Sequence, residues 1–467
     1  MSKSTTKQMP ARYSRRRGKG LPKKLEVLHP HAAGIDVGSA HHYVSVPEDR
    51  DQDAVRRFGC STPDLQSMAS WLKDCGISTV VMEATGVYWI PVFRVLEDAK
   101  LDVLLVNPRH IKYVPGRKSD VGDCQWLRQL HTYGLLRGSF VPSAQVSAMR
   151  TYWRQRRDLV QSASSEIQHM QKALTQMNIQ LHTVLSDVTG VSGMNILRAI
   201  VAGQRDPLVL ACLANTQVKC TRAELVKALT GHYTDEHLFV LQQSLESFDF
   251  CHTKIRECDQ RLSQHLAQFV SKAQPDTLPP SAKRSNRARR KNQPHFELRT
   301  ELYRLTGVDL TRIDGIDAMT AFTVLSEIGF DVSAFPTDAQ FASWLGLCPN
   351  HRSTGDKIKR RTTRPVFNRA ADALRIAAQS LWRSTTYLGA MHRRFTGRLG
   401  APKAITATAH KLARLIYHML KYGQDYVDKG EQYLEDQHRQ RSIKSLTRRA
   451  KDLGYALINP QTGEVLA

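Results

Sequence analysis

From residue 31 onward, apolar positions fall into short, nearly continuous runs broken by glycine and polar turns. "GIDVGSAHHYVSV" reads as strand, glycine turn, strand. "STPDLQSMASWLKDCG" has helical spacing, with Ser61 or Thr62 as N-cap and Gly76 at its end. "ISTVVMEA" and "LDVLLVN" are apolar and β-branched without alternation, which marks buried strands. "WIPVFRVLEDAK" between them reads as a helix. A polar, basic loop, "PRHIKYVPGRK", leads to a helix opening at Ser119. This alternation predicts an α/β domain over residues 31–143, its sheet mostly parallel in the later part, with helices packed on it.

After residue 143 the period changes. Val160, Ala163, Ile167, Met170, Leu174, Met177, Leu181 and Val184 recur at steps of three and four, a heptad seam on one long helix from 144 to about 185. A second seam runs from Leu238 through Leu241, Leu245, Phe248, Ile255 and Leu262 to Phe269. The two are expected to pair antiparallel, or with another copy, as a coiled coil or as ordinary bundle helices. A compact helical insert over 190–235 completes a helical region of 144–270. Residues 271–296, rich in Pro and Ser and free of acids after Asp276, read as a basic linker. A helical domain is expected over 297–425. Within it "LTGVDLTRIDGIDAMTAFTVLSEIG" resembles a helix-hairpin-helix whose "GID" turn points N–H groups at phosphates; a plain αα-hairpin is the alternative. Alanine-rich amphipathic helices follow at 366–382 and 401–421. Residues 426–467 read as a polar tail with a short hairpin around "NPQTGEV".

Charge adds a partner to this picture. Of the 467 residues, 67 are Lys or Arg and 43 are Asp or Glu, a formal net charge of +24. Such an excess suits nucleic acid or an anionic surface. No apolar run approaches a membrane span and the basic N-terminus lacks the apolar core of a signal peptide, so a soluble, cytoplasmic, nucleoid-associated protein is expected. Residues 1–30, with nine Lys or Arg against Glu26 alone, read as a disordered basic arm. The linker cations Lys283, Arg284, Arg287, Arg289, Arg290 and Lys291 are placed to follow phosphates. The eight cysteines form no C-x-x-C pair, which speaks against a zinc ribbon.

Four carboxylates carry candidate chemistry. Asp36 and Glu83 each end a buried strand, and Asp120 and Asp123 share one face of a helix's first turn. In an α/β sheet the carboxyl ends of the strands and the adjoining helix starts meet at one edge. Clustered carboxylates repel unless cations neutralise them, and an all-oxygen set favours Mg²⁺, with Mn²⁺ as the alternative. Two such ions clamp the attacking and leaving oxygens of a phosphodiester. Taken singly, Asp120 and Asp123 also suit the dipole of their helix, and Asp36 also suits a cap of the turn at Gly38.

"GIDVG", "MEATGVYW" and "KSDVGDCQWL", in this order, resemble the D-E-D-D set of bacterial insertion-sequence transposases, the family numbered one-ten, and its longer-chain subgroup, one-one-one-one. The segment from "TRIDGIDAMTAF" to "NRAADALR" resembles that family's second domain. The resemblance implies an RNase H-like (RuvC-like) first domain and a small helical transposase domain with a hydroxyl nucleophile. It implies Asp36, Glu83, Asp120 and Asp123 as metal ligands. It also implies donor and target double-stranded DNA as substrates, a structured noncoding bridge RNA as guide, and a dimer or tetramer. In "GLCPNHRSTGDK", Thr354 fits the family's register before Gly355, whereas Ser353 has the less crowded oxygen. Arg352, Lys357, Lys359, Arg360, Arg361, Arg364 and Arg369 surround them and suit a scissile phosphate. Tyr88, Trp89 and Tyr113 are candidate base-stacking rings or core residues. Two other readings use the same sequence: a Holliday-junction resolvase-like metal nuclease working with water, and a non-catalytic nucleic-acid-binding protein.

Overall fold

The computed structural model describes residues 26–108, 119–280, 292–354, 357–364, 366–423, 426–428, 430–458 and 465–466; for 351–361, 434, 438 and 465–466 this covers the backbone alone. The linker cations from Lys283 to Lys291, most of the N-terminal arm and Tyr113 lie outside these residues. The chain forms two compact units, 1–141 and 142–467.

The first unit is built on one five-stranded sheet. Its elements are β1 (Ala32–Val37), β2 (His41–Ser45), β3 (Val55–Gly59), α1 (Thr62–Asp74), β4 (Thr79–Glu83), α2 (Trp89–Asp98), β5 (Asp102–Val106) and α3 (Asp120–Thr132). The strand order is β3-β2-β1-β4-β5. β1, β2 and β3 pair antiparallel, and β4 and β5 join β1 in parallel. This mixed sheet fits an RNase H-like domain. β1 and β4 are buried almost throughout because their runs are apolar on both faces. Ser61 caps α1 in a reciprocal capping box with Asp64. β3 was not expected, because "VRRFG" carries two arginines. At the sheet edge those charges are tolerated and discourage pairing with other chains. Arg56 there pairs with Asp51 at 2.8 Å and its guanidinium lies 5.0 Å from the Trp71 ring centroid.

The second unit is helical apart from two small hairpins among its described residues. α4 (Ala144–Gln176) is followed by the short helices α5 (Leu181–Val184), α6 (Val191–Val201), α7 (Pro207–Cys212) and α8 (Arg222–Leu229), and then by α9 (Asp235–Leu266). α4 and α9 pair antiparallel within the chain: His265 Nε2 lies 2.8 Å from the Gln145 carbonyl, and Arg156 bonds Asp259 eleven residues further along α4. The first seam thus finds its partner internally. Its helix also stops earlier than the heptad implies. Asn178 turns into the left-handed region (φ 56°), and Met177, Leu181 and Val184 continue the seam into the core beneath α6 and α8.

Arg156 and Asp259 are 2% and 1% exposed and 2.5 Å apart. The remaining polar atoms are engaged: Arg156 donates to the Asn292 carbonyl at 2.9 Å and Asp259 accepts from the His295 N–H at 3.1 Å. Removing one partner strands a buried charge. Asp259→Ala should therefore cost about 3–5 kcal/mol, read as a fall in the urea midpoint. Replacing both residues by apolar ones should recover much of that loss.

The remaining elements are α10 (Leu298–Thr306), α11 (Ala318–Ile328), α12 (Asp338–Trp344), β6 (Pro349–Thr354), β7 (Lys357–Thr363), α13 (Arg369–Ser380), α14 (Tyr387–Leu399), α15 (Ala401–Tyr422), α16 (Gly430–Asp452), β8 (Leu457–Ile458) and β9 (Val465–Leu466). Asp317 caps α11 by accepting from the Thr320 N–H. The "GID" turn before it packs inward: a Cβ on Gly315 would stand 2.9 Å from the Ala377 carbonyl of α13, and the Ile316 N–H is donated to Ile313. Three elements depart from expectation. β6 and β7 form a hairpin where only helices were expected, α14 lies between the two alanine-rich helices, and α16 occupies much of what reads as a polar tail. β8 and β9 form the short terminal hairpin, with Leu457 opposite Leu466.

Candidate active site

Asp36 is the next-to-last residue of β1, half-buried, and its carboxylate accepts from the Val37 N–H. β1 and β4 run in parallel with Ile35 opposite Met82. The next residues, Asp36 and Glu83, therefore reach the same level at the carboxyl edge of the sheet. Glu83 is half-buried at the end of its strand.

α3 delivers the other two acids. Ser119 caps it by accepting from the Gly122 N–H, which places Asp120 and Asp123 in the first turn. Asp120 is exposed and Asp123 half-buried. The helix lies on the face of β1 that holds Gly34 and Asp36, and Gly34 is what lets it lie so close. A Cβ there would stand 2.3 Å from the Cys124 carbonyl oxygen and 2.5 Å from the Arg128 N. Further along α3, Arg128 Nε donates to Ser45 Oγ at 3.1 Å, and His131 Nε2 lies 2.9 Å from Thr79 Oγ1. His131 stacks on His29 at 4.6 Å and burial pushes its pKa down to about 4, so it holds the helix as a neutral ring. Gly34→Ala should displace α3 from the sheet. We expect a loss of about 1–3 kcal/mol in stability together with a fall in strand cleavage. A thermal melt and a cleavage assay on the same sample check both.

The electrostatics record the convergence. Burial, then Asp120, then Asp123 raise the Asp36 pKa from 3.8 to about 6. Strand register brings Glu83 to the same edge. Cys124 lies beside Asp36, where burial and the Asp36 charge push its thiol to about 12, so it is a neutral neighbour in the metal-free protein. Among the described residues, no three acidic, imidazole or thiol groups already enclose a cation position. The donor set fits a hard divalent cation: carboxylates that repel one another, with no competing thiolate.

The segment predicted to carry the nucleophile forms the β6–β7 hairpin. Positions 353 and 354 end β6, with Ser353 opposite Ile358 and Thr354 opposite Lys357. The register shifts between Arg352 and Ser353, leaving 359 as the extra residue on β7. Arg352, Lys357, Lys359, Arg360 and Arg361 all belong to these two strands. Arg364 is held at the base of the hairpin, where its Nη2 donates to the carbonyl and the hydroxyl of Ser343. Arg369 opens α13 and is half-buried. Of the candidate stacking rings, Trp89 packs on Phe93 as part of the sheet's core, while Tyr88 is exposed.

Two transposase family models match the chain. One, a transposase model of the IS110 DEDD type, covers residues 33–179, and the other, the IS116/IS110/IS902 transposase family, covers residues 308–392. Both matched segments are thus similar to IS110-family transposase domains. Such domains indicate a DNA-cleaving and strand-transferring enzyme with DNA as its substrate. Transposase domains of the DEDD type typically use divalent metal ions. The first match holds all four acids and extends past the sheet through α4; the second holds α11, the β6–β7 hairpin and α13. No curated protein matches the chain. Among the described residues no helix is long and apolar enough to cross a membrane. Gly34 is the site residue that sequence reasoning missed. Its only signal was a glycine inside a strand, the mark of a close backbone approach.

Proposed function

We propose that the chain is an insertion-sequence recombinase of the longer-chain one-one-one-one subgroup, guided by a structured noncoding RNA that pairs with donor and target DNA. The observation that carries this reading is the meeting of Asp36, Asp120 and Asp123 at the sheet edge that Glu83 also reaches. These four would hold Mg²⁺, with Mn²⁺ as a substitute. When bound, the ions supply charge neutralisation to the oxygens of the phosphodiester being cut.

The chain's own steps are two. The cations of the hairpin, Arg352, Lys357, Lys359, Arg360 and Arg361, grip phosphate oxygens, and Arg364 and Arg369 support them. The hydroxyl of Ser353 or Thr354 loses its proton and forms an oxygen–phosphorus bond as the bond to the sugar oxygen breaks. That sugar oxygen takes up a proton, and attack by a second strand's hydroxyl later releases the protein. The net charge of +24 and the basic linker support a large nucleic-acid complex, assembled as a dimer or tetramer.

A cleavage assay on DNA of the element ends, with RNA transcribed from the sequence flanking the gene, tests the proposal. Cleavage should require the RNA, a divalent cation and each of the four acids. RNA-independent cleavage would favour a water-using nuclease and remove the guide. Wild-type activity in three of the four single alanine variants would remove the metal site.

A further inference from the structure

α14, α15, α16 and residues 426–427 line a cavity of about 860 Å³, open to solvent on one side, in the second unit. Most of its lining lies beyond residue 392, outside both family matches. A gap left merely by imperfect packing would be apolar and small. This one is large, and four cations stand in its largely apolar wall. Arg394, Arg398, Lys411 and Arg441 reach it from three different helices, and no lining residue is acidic. Two acids stand beside the lining: Glu431 pairs with Arg393 at 2.7 Å, and Asp428 accepts from the Tyr387 N–H at 3.2 Å and from the Tyr426 hydroxyl at 3.5 Å.

Aromatic rings stand among these cations. The Tyr387 and Tyr433 rings are tilted at 48° with 6.4 Å between their centroids, and the Arg398 guanidinium lies 5.8 Å from the Phe395 ring centroid. Tyr426 completes the set, and Leu388, Met391 and Leu415 supply an apolar floor. The volume lies within the range of sites that bury a small ligand, about 300–1,000 Å³, and is too small for a duplex. Flat rings beside several fixed cations recognise an aromatic base together with its phosphate.

We propose that this cavity holds an unstacked nucleotide of a single-stranded nucleic acid, its base against the tyrosine rings and its phosphates on the arginines and Lys411. The proposal deepens the nucleic-acid reading above but is separable from its catalysis, since it concerns binding without metal.

The test uses the full chain in chelator, with fluorescent oligothymidylate, oligouridylate and a duplex of equal length as probes. Tyr433→Ala should weaken single-strand binding about tenfold, as loss of one stacking partner does, and leave duplex binding unchanged. Tyr433→Phe, which keeps the ring, should bind as the wild type does. Arg441→Gln should weaken single-strand binding as well. Both Tyr433 and Arg441 are exposed at the cavity, so neither change removes core. The strand that loses more affinity identifies DNA or RNA as the source. In the wild type, a 5-iodouracil probe should crosslink to Tyr387, Phe395, Tyr426 or Tyr433. Three results would each overturn the proposal: unchanged single-strand affinity in Tyr433→Ala and Arg441→Gln, an equal loss for the duplex, or displacement of the strand by polyglutamate of matched charge. Cleavage by the acids of the first unit is a separate readout, so either idea can fail alone.

Discussion

Asp36→Asn should stabilise the metal-free protein at neutral pH and abolish strand cleavage. The wild-type carboxylate has its pKa raised from 3.8 to about 6 by burial, Asp120 and Asp123. The folded state therefore binds its proton more tightly than the unfolded chain does. That advantage is fully present below about pH 4 and is lost as pH rises through about 6. Above that pH the ionised group costs the fold about 1–2 kcal/mol, the free energy of a shift of this size reduced by solvent screening at a half-buried site. Asparagine keeps the shape and removes the charge. Urea unfolding in chelator should show the variant more stable at pH 8 and level with the wild type near pH 4. A divalent cation should narrow the difference at pH 8 by neutralising the wild-type site. Cleavage should fall by at least about 10²-fold, the scale for loss of one group that stabilises developing charge. An equal stability gain at both pH values would show that charge repulsion is not the cause. Retained cleavage would remove Asp36 from the catalytic set.

At positions 353 and 354, only one residue should carry DNA. They are consecutive on β6, and successive positions of a strand belong to opposite faces of the hairpin. A single scissile phosphate is therefore within reach of one hydroxyl and not both. The register before Gly355 selects Thr354; the unbranched side chain selects Ser353. Denaturing gels of a stalled reaction should show DNA joined to the chain. Ser353→Ala and Thr354→Ala, made separately, should divide sharply: one abolishes the adduct and the other lowers its rate. Cysteine at the true position should retain slow attachment, since the thiolate is the better nucleophile and makes the weaker bond to phosphorus. An adduct that survives the double alanine change would move the search to Thr362, Thr363 or Ser343.

What was legible in the chain was local. Continuous apolar runs specified β1 and β4, because a strand covered on both faces has no polar side to show, and also β5, an edge strand buried only at Leu105 and Val106. Ser61 and Ser119 announced their helices because a side-chain oxygen there satisfies an N–H that the helix leaves free. Asp36 and Glu83 stood out as charges ending apolar strands, and Asp120 and Asp123 as acids one turn apart. The β6–β7 hairpin was missed because its strands are polar and basic, so period-two hydrophobicity is absent. Its turn signal, a Gly-Asp pair between two strand-forming runs, was there to be read.

Tertiary structure decided the remainder. Whether the heptad seam of α4 faces α9 or another copy is not encoded in the seam, because apolar stripes are interchangeable; the buried Arg156–Asp259 pair makes α9 the match. Whether four acids form one site depends on how closely α3 approaches β1. That distance is set by the missing side chain at Gly34 and by the anchors at Ser45 and Thr79. Single residues can carry the chemistry of a carboxylate, but repulsion among Asp36, Asp120 and Asp123, and with it the demand for a cation, arises only where the folded backbone holds them together.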